Sequence, residues 1–136
     1  MIAFKYKKEK VGILGEATPR PVAIVSLKTA DGKWYRFQPY IDSGADITLL
    51  SQSTGKLIGL KEDGPNQKKS TLGGISGGIP VIYTTVTMSI DNHEFQAKVA
   101  WAQISGIPPL LGRADVFEHF KITFKEKEGI IEFEKV

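Results

Sequence analysis

The chain has 136 residues, 41% hydrophobic and 24% charged, which is typical of a globular protein long enough to bury a hydrophobic core. It contains no cysteine, which excludes disulfides, thiol nucleophiles and thiolate metal ligands. The net charge is +3, but basic residues are interleaved with acidic ones, as in Lys125–Glu128, so the pattern predicts a solvated surface without a nucleic-acid footprint.

The first half of the chain predicts one hairpin, a short helix and a loop. Apolar and polar residues alternate in Val22–Lys28 and in Trp34–Ile41, and Asp31-Gly32 is typical of the turn between two strands. Ser51–Ile58 predicts one to two helical turns. Lys61–Ser70 is polar and contains glycine, proline and asparagine, so we expect a loop there.

A longer hairpin follows in the second half. Val81–Ile90 alternates, and its inward face is expected to carry Ile82, Val86, Met88 and Ile90. Asp91-Asn92 is typical of a two-residue hairpin turn. The returning strand alternates at Phe95, Ala97, Val99 and Trp101.

The last segments predict a short helix and a final pair of strands. Ala114–Phe120 is expected to be helical, and Phe120, Ile122 and Phe124 indicate a strand. The charged segment Lys125–Gly129 then turns into a last strand, Ile130–Val136. Many short strands separated by turns predict an all-β domain over residues 1–136, a compact and antiparallel-rich, partly closed barrel or sandwich with one or two short helices.

Asp42-Ser43-Gly44 carries the strongest chemical signal. The apolar residues Tyr40 and Ile41 lead into it, so one carboxylate is expected on a tight turn at the end of a strand. A single carboxylate cannot at the same time accept one proton and donate another. By itself the motif is more typical of an ordinary turn, and for two-acid chemistry a second acidic group would have to come from elsewhere.

Three segments occur in a characteristic order: Tyr40–Asp46, the glycine-rich Gly73–Gly78, and Pro109–Asp115 with its Leu-Leu-Gly-Arg sequence. Together they resemble the retroviral-type (retropepsin-like) aspartic proteases, as a cellular or prokaryotic-like member of that family. The resemblance covers about Val22 to Phe124. It implies the retropepsin fold, a small closed barrel-like all-β fold with one or two short helices and a glycine-rich hairpin that forms a flap.

The resemblance also implies peptide-bond hydrolysis by an activated water molecule. Two carboxyl groups about 3 Å apart share one proton, so that one accepts a proton from water while the other donates to the carbonyl oxygen. The chain has one such motif, and the reading therefore requires a homodimer in which each chain supplies Asp42. The implied substrate is an extended peptide or protein segment, with no cofactor and no metal.

The resemblance assigns supporting roles around Asp42. The hydroxyl of Ser43 would fix the geometry of the two carboxyl groups, and Gly44 would let the backbone approach the substrate. Ala45 and Asp46 match positions that line the site and bond the substrate backbone.

Two further segments receive roles from the same resemblance. Arg113 matches a buried arginine that pairs with the carboxylate at the position of Asp46, and Gly112 would allow a close crossing beside the active-site turn. The flap and its substrate contacts would come from Gly73, Gly74, Ile75, Ser76 and Gly77, with Ile75 at the tip.

The ends of the chain depart from the viral enzymes. Those enzymes end near the position of Phe124, and their terminal strands interlock to build the dimer. Here residues 125–136 follow Phe124 and residues 1–21 precede the matched region. The dimer interface is therefore left open, and so is an alternative function: a non-catalytic dimerisation or peptide-binding module that keeps the fold. A nucleic-acid-binding β-barrel is a third, weaker alternative based on the basic charge.

Other common sites find no support in the sequence. His93 and His119 stand apart from any set of ligands at metal-binding spacing. No apolar run approaches the ~18 residues that span a bilayer, and no apolar stretch follows the charged N-terminal residues. We therefore expect a cytoplasmic protein without membrane or nucleic-acid partners.

Overall fold

The structure is a computed structural model that describes residues 1–10, 17–65, 67–73 and 78–136, apart from the side chain of Lys10. Its described part is almost entirely β-structure, with the single helix α1 (Gln52–Leu57). The strands in chain order are β1 (Ile2–Lys5), β2 (Lys7–Lys10), β3 (Ala17–Arg20), β4 (Val25–Lys28), β5 (Trp34–Phe37), β6 (Tyr40–Ile41), β7 (Thr48–Leu50), β8 (Lys68–Leu72), β9 (Ile79–Ile90), β10 (His93–Ala102), β11 (Leu110–Leu111), β12 (Phe120–Lys125) and β13 (Ile130–Lys135).

The strands form one large sheet and two small ones. The large sheet has the order β5-β4-β9-β10-β7-β11-β6, with β8 also paired to β9, and it curls into a half-barrel. A three-stranded sheet has the order β1-β13-β12, and β2 pairs with β3 alone. The all-β, barrel-like fold class predicted from the sequence is confirmed.

The curl of the large sheet follows from its connectivity. β5 and β6 are consecutive in the chain, separated only by Gln38 and Pro39, yet they lie at opposite ends of the strand order. The sheet must therefore bring its two ends together. Trp34–Ile41, predicted as one strand, is broken here into two, because Pro39 has no backbone N–H to donate to a sheet ladder.

The β9–β10 hairpin is the longest ladder of the sheet and follows its sequence pattern. Asp91 and Asn92 have φ values of 49° and 61°, the left-handed conformation that a two-residue hairpin turn requires. The predicted inward positions are buried on both strands: Ile82, Val86, Met88, Ile90, Phe95, Ala97, Val99 and Trp101. The prediction of this hairpin and of its buried face is confirmed.

The main hydrophobic cluster joins the large sheet to the three-stranded sheet. Val25 and Leu27 of β4 belong to it, together with Phe4 of β1 and Phe133 of β13. The Phe133 ring packs edge-on against Phe4 and Phe120, with centroid distances of 5.6 and 5.7 Å. Strands formed by residues outside the matched region thus contribute to the same core.

Helix α1 forms where the sequence predicts it. The Ser51 hydroxyl accepts a hydrogen bond from the Thr54 N–H at 3.2 Å, which caps the first turn. Gly55 lies against the Trp101 ring, where a Cβ would stand 2.0 Å from Nε1. In the described part of the chain, no helix is both long enough and apolar enough to cross a membrane.

Two further local predictions were wrong. Lys68–Ser70, expected to be loop, belongs to β8, which pairs with β9 from Lys68↔Tyr83 to Leu72↔Ile79. Ala114–Phe120, expected to be helical, is a series of turns. A regular helix is interrupted because Asp115 has a φ of 65° and its carboxylate accepts a hydrogen bond from the Lys98 N–H at 2.8 Å.

Candidate active site

Asp42 lies on the turn between β6 and β7. Its N–H donates to the Leu111 carbonyl at 3.0 Å, and its own carbonyl accepts from the Ala45 N–H at 3.1 Å. The carboxylate oxygen Oδ1 accepts from the Gly44 N–H at 2.9 Å. The backbone and the side chain of Asp42 are thus held by separate hydrogen bonds, while the side chain remains partly exposed.

Strand β11 lies between the strand that enters this turn and the strand that leaves it. Leu110 and Leu111 pair in parallel with Tyr40 and Ile41 of β6, and Leu110 pairs in antiparallel with Leu49 of β7. Because both sides of the turn are bonded to the same short strand, the turn cannot widen without breaking a ladder. The Pro109–Asp115 segment, which contains β11, therefore holds the Tyr40–Asp46 segment in place.

Gly112 follows β11 at a very close crossing with the chain after Asp46. A Cβ on Gly112 would stand 2.4 Å from the carbonyl carbon of Ile47, a distance that side-chain carbons do not tolerate. The Gly112 N–H also donates to the hydroxyl of Thr48 at 3.1 Å, and Thr48 is fully buried. Only glycine fits this crossing.

Arg113 and Asp46 lie together beside the turn. Their side chains form an ion pair, with 2.5 Å between Arg113 Nη2 and Asp46 Oδ1. The Arg113 N–H also donates to the Ala45 carbonyl, and the Ala114 N–H to the Asp46 carbonyl, each at 2.9 Å. The resemblance implies a buried arginine, but in the single chain the Arg113 and Asp46 side chains are 55% and 86% exposed.

Ser43, Gly44 and Ala45 form the tip of the same turn. Ser43 and Gly44 are exposed, and Ala45 is half-buried. A Cβ on Gly44 would stand 3.3 Å from Asp42 Oδ1, which would crowd the oxygen that its own N–H binds. Gly44 therefore leaves the Asp42 carboxylate open on this side.

The predicted flap is described only at its base. β8 and β9 pair antiparallel up to Leu72↔Ile79, so they are the two arms of a hairpin. Gly73 directly follows β8 and has a φ of 64°, and Gly78 directly precedes β9 and has a φ of 62°. Both values lie in a backbone region that favours glycine. The other predicted flap residues, Gly74, Ile75, Ser76 and Gly77, lie outside the described residues.

A cleft of about 400 Å³ opens next to Asp42. Its apolar wall contains Pro21, Ile41, Pro108 and Leu110, and its polar wall contains Glu9, Arg20 and Tyr40. The sequence reasoning missed Glu9, Arg20, Pro21 and Pro108. Glu9 and Arg20 come from β2 and β3, two short, solvent-facing strands without an apolar period, so no local pattern marked them.

The polar wall is organised around the Tyr40 hydroxyl. It donates to the Glu9 carboxylate, whose two oxygens lie 2.7 and 2.8 Å away. This hydrogen bond raises the pKa of Tyr40, with burial and the negative charge of Glu9 acting in the same direction, while Arg20 lowers it. The contact ties the β2–β3 hairpin to β6, the strand that ends at Asp42.

The described residues contain one carboxylate at the centre of this site and do not bring together three or more metal-binding side chains. A single exposed carboxylate can act as a proton acceptor or, when protonated, as a donor. A second carboxyl from another copy of the chain would be needed for both roles in one step.

Comparison with solved structures gives the fold. The chain is similar to the EIAV protease complexed with the inhibitor HBY-793, with a TM-score of 0.51 and 22% sequence identity. The match covers 69% of this chain and 82% of that one. No protein-family model and no curated protein matches the chain. The likeness establishes a retropepsin-like fold.

Proposed function

We propose that the chain is an aspartic endopeptidase that acts as a homodimer in the cytoplasm. The observation that carries the proposal is the position of Asp42, whose carboxylate projects from a turn clamped by β11 within a retropepsin-like fold. The turn is rigid in its backbone and open at its carboxylate. These are the two properties that positioned acid–base chemistry requires.

The reaction uses Asp42 from each of two chains. The ionised carboxylate takes a proton from water, the water oxygen attacks the peptide carbonyl carbon, and the other, protonated carboxyl donates to the carbonyl oxygen. The tetrahedral diol then collapses as the C–N bond breaks. One diol proton returns to a carboxylate, the amine leaves with a proton from the other carboxyl, and the products are a free acid and a free amine.

One feature supports the dimer. The Arg113–Asp46 pair is exposed directly beside the catalytic turn, where a second chain would cover it. Another feature supports peptide binding: a Cβ on Gly73, at the end of the β8–β9 hairpin, would meet nothing within 4 Å, which leaves room for a backbone contact from a bound peptide. In this proposal the substrate is an extended peptide segment with mostly apolar side chains around the cleaved bond.

The test measures cleavage of a peptide library between pH 3.5 and 7 by the wild type and by Asp42→Asn. Asp63→Asn is the matched control, since it makes the same chemical change on an exposed loop. We expect Asp42→Asn to be inactive and Asp63→Asn to match the wild type. Equal activity of the Asp42→Asn variant would contradict the proposal.

Mixing the two proteins tests whether the site is shared. A subunit of Asp42→Asn inactivates any dimer that it enters, so an equal amount added to fully dimeric wild type lowers activity to about half. Asp63→Asn has no such effect. Activity that is unchanged by added Asp42→Asn would mean that one chain suffices.

The second candidate is a non-catalytic dimerisation or peptide-binding module. One observation favours its non-catalytic, peptide-binding form: β13 has partners on both edges within its own chain, so it cannot bring two copies of Asp42 together by pairing with a second copy. Under this reading peptides bind to the wild type and to Asp42→Asn with the same affinity. Neither protein cleaves them, even at concentrations where dimers are present.

A further inference from the structure

The charged wall of the cleft beside Asp42 is built by the β2–β3 hairpin. In the hairpin register Lys7 lies opposite Arg20, and Glu9 lies opposite Thr18. Glu9 and Arg20 therefore reach the cleft from neighbouring strands. Because the Tyr40 hydroxyl binds Glu9, the position of this wall is fixed relative to the strand that ends at Asp42.

The two charged residues of this wall differ in whether other side chains already bind them. Glu9 accepts the Tyr40 hydroxyl, and its carboxylate lies 3.6 Å from the Lys7 ammonium. Arg20 forms no ion pair with any carboxylate of the described residues. Its guanidinium lies 5.8 Å from the centroid of the Tyr40 ring, close enough for a cation–π contact that orients it. Arg20 is thus a positioned cation whose guanidinium is not bound by any carboxylate side chain of the described residues.

The remainder of the cleft is apolar, with Pro21, Ile41, Pro108 and Leu110 in its lining. A side chain with a short aliphatic stem and a terminal carboxylate fits such a site. The stem would lie along the apolar wall, and the carboxylate would bind the planar guanidinium, which presents paired donors to it. A lysine or arginine side chain would instead meet Arg20 with a like charge. The Glu9 carboxylate that could attract it already binds the Tyr40 hydroxyl and lies 3.6 Å from the Lys7 ammonium.

We propose that Arg20 determines specificity by selecting a substrate with a glutamate-type carboxylate side chain in the cleft next to Asp42. The proposal rests on the proposed peptidase or peptide-binding role of this site. It extends that role by assigning a charged subsite to the N-terminal β2–β3 hairpin. The residue does not take part in bond cleavage.

The test measures binding to Asp42→Asn, so that cleavage does not interfere. The probes are synthetic peptides of one sequence in which a single Glu, or Gln in its place, is moved residue by residue. We expect one position where the Glu peptide binds about tenfold more tightly than its Gln counterpart, since a charge-assisted hydrogen bond contributes at least that much.

Second-site variants in the same Asp42→Asn protein assign this preference to Arg20. Arg20→Gln should bring the Glu-to-Gln affinity ratio to about one, and Arg20→Glu should favour a Lys peptide at the same position. Arg36→Gln is the matched control, because Arg36 is an exposed arginine of β5 outside this cleft. It should keep the tenfold ratio. A ratio that Arg20→Gln leaves unchanged, or the absence of any Glu preference, overturns the proposal.

The outcomes also separate this proposal from the proposed catalysis. Glu-selective binding without cleavage by the wild type supports the Arg20 subsite and contradicts the peptidase. Cleavage by the wild type without Glu preference supports the peptidase and contradicts the subsite. Absence of binding by every peptide contradicts both.

Discussion

The backbone of Gly112 crosses that of Ile47 so closely that a methyl group on Gly112 would stand 2.4 Å from both the carbonyl carbon and the carbonyl oxygen of Ile47. This crossing fixes the distance between β11 and the turn that carries Asp42. The atoms in the way belong to the backbone, so they cannot yield by a simple side-chain rotation.

Gly112→Ala should therefore lower both stability and activity. We expect the free energy of unfolding to fall by about 3 kcal/mol, at the upper end of the range for overpacking, as measured by urea denaturation. Under the proposed function, peptide cleavage should fall further than the folded fraction alone explains, because the Asp42 turn is displaced.

Gly106→Ala is the comparison for this variant. Gly106 has a φ of 82°, but a Cβ there would meet nothing within 4 Å. Its alanine variant thus carries only the cost of the backbone conformation, about 1 kcal/mol. Equal destabilisation by the two substitutions would show that crowding at Ile47 is relieved at little cost.

The Arg113–Asp46 pair should affect association more than folding. In the single chain the pair is largely exposed, and exposed ion pairs contribute at most about 1 kcal/mol. Asp46→Asn should therefore change the urea midpoint only slightly. If a second chain covers the pair, removing one partner leaves Arg113 buried without its counter-charge, and the dimer dissociation constant should rise about tenfold or more.

Analytical ultracentrifugation of Asp46→Asn beside Asp63→Asn measures this effect. The control removes the same charge at an exposed loop position and should leave the dissociation constant unchanged. Identical dissociation constants for both variants would place the Arg113–Asp46 pair outside the dimer interface.

Stability should fall in mild acid because of His93. Burial lowers the pKa of His93 below its usual 6.5, and the nearby Lys135 and His119 lower it further. The ring packs against both Phe95 and Phe120, and its Nε2 is 3.2 Å from Nδ1 of His119. The unfolded chain thus binds a proton at a higher pH than the folded chain does.

The direction of the effect follows from this order of pKa values. The stabilising contribution is complete above the unfolded pKa near 6.5 and is lost as the pH falls through the lower folded value. We expect a lower urea midpoint at about pH 5.5 than at about pH 7.5, a window above the usual carboxylate range. His93→Gln should reduce the difference between the two midpoints. An equal difference in wild type and variant would assign it to other groups.

The alternation of apolar and polar residues was sufficient to predict a strand where one face of the strand is buried. β9 and β10 are buried on one face, so their period and the Asp91-Asn92 turn could be predicted from the residues alone. β8 could not, because its first four residues are exposed and its pairing to β9 leaves no apolar period. Exposed strands are defined by their backbone partners, which a sequence does not display.

The sequence was sufficient to predict the motifs of the candidate site but not the contacts between its residues. The order of the Asp42, Gly73 and Gly112 segments pointed to one family, and the structure places the first and third of them against each other. The charged wall of the cleft could not be predicted. It depends on the hydrogen bond between Glu9 and Tyr40, which are 31 positions apart, and no sequence motif contains both residues. Contacts of this kind arise only when the whole chain folds.

Because β13 is the central strand of the three-stranded sheet, folding of one chain and association of two chains are separate processes. Each chain pairs this strand internally with β1 and β12, so the three-stranded sheet is complete before any partner arrives. A folded single chain can then persist on dilution with an incomplete catalytic pair. Under the proposed function, activity would be lost on dilution while the chain stays folded, and the melting temperature would fall only by as much as association stabilises the folded chain.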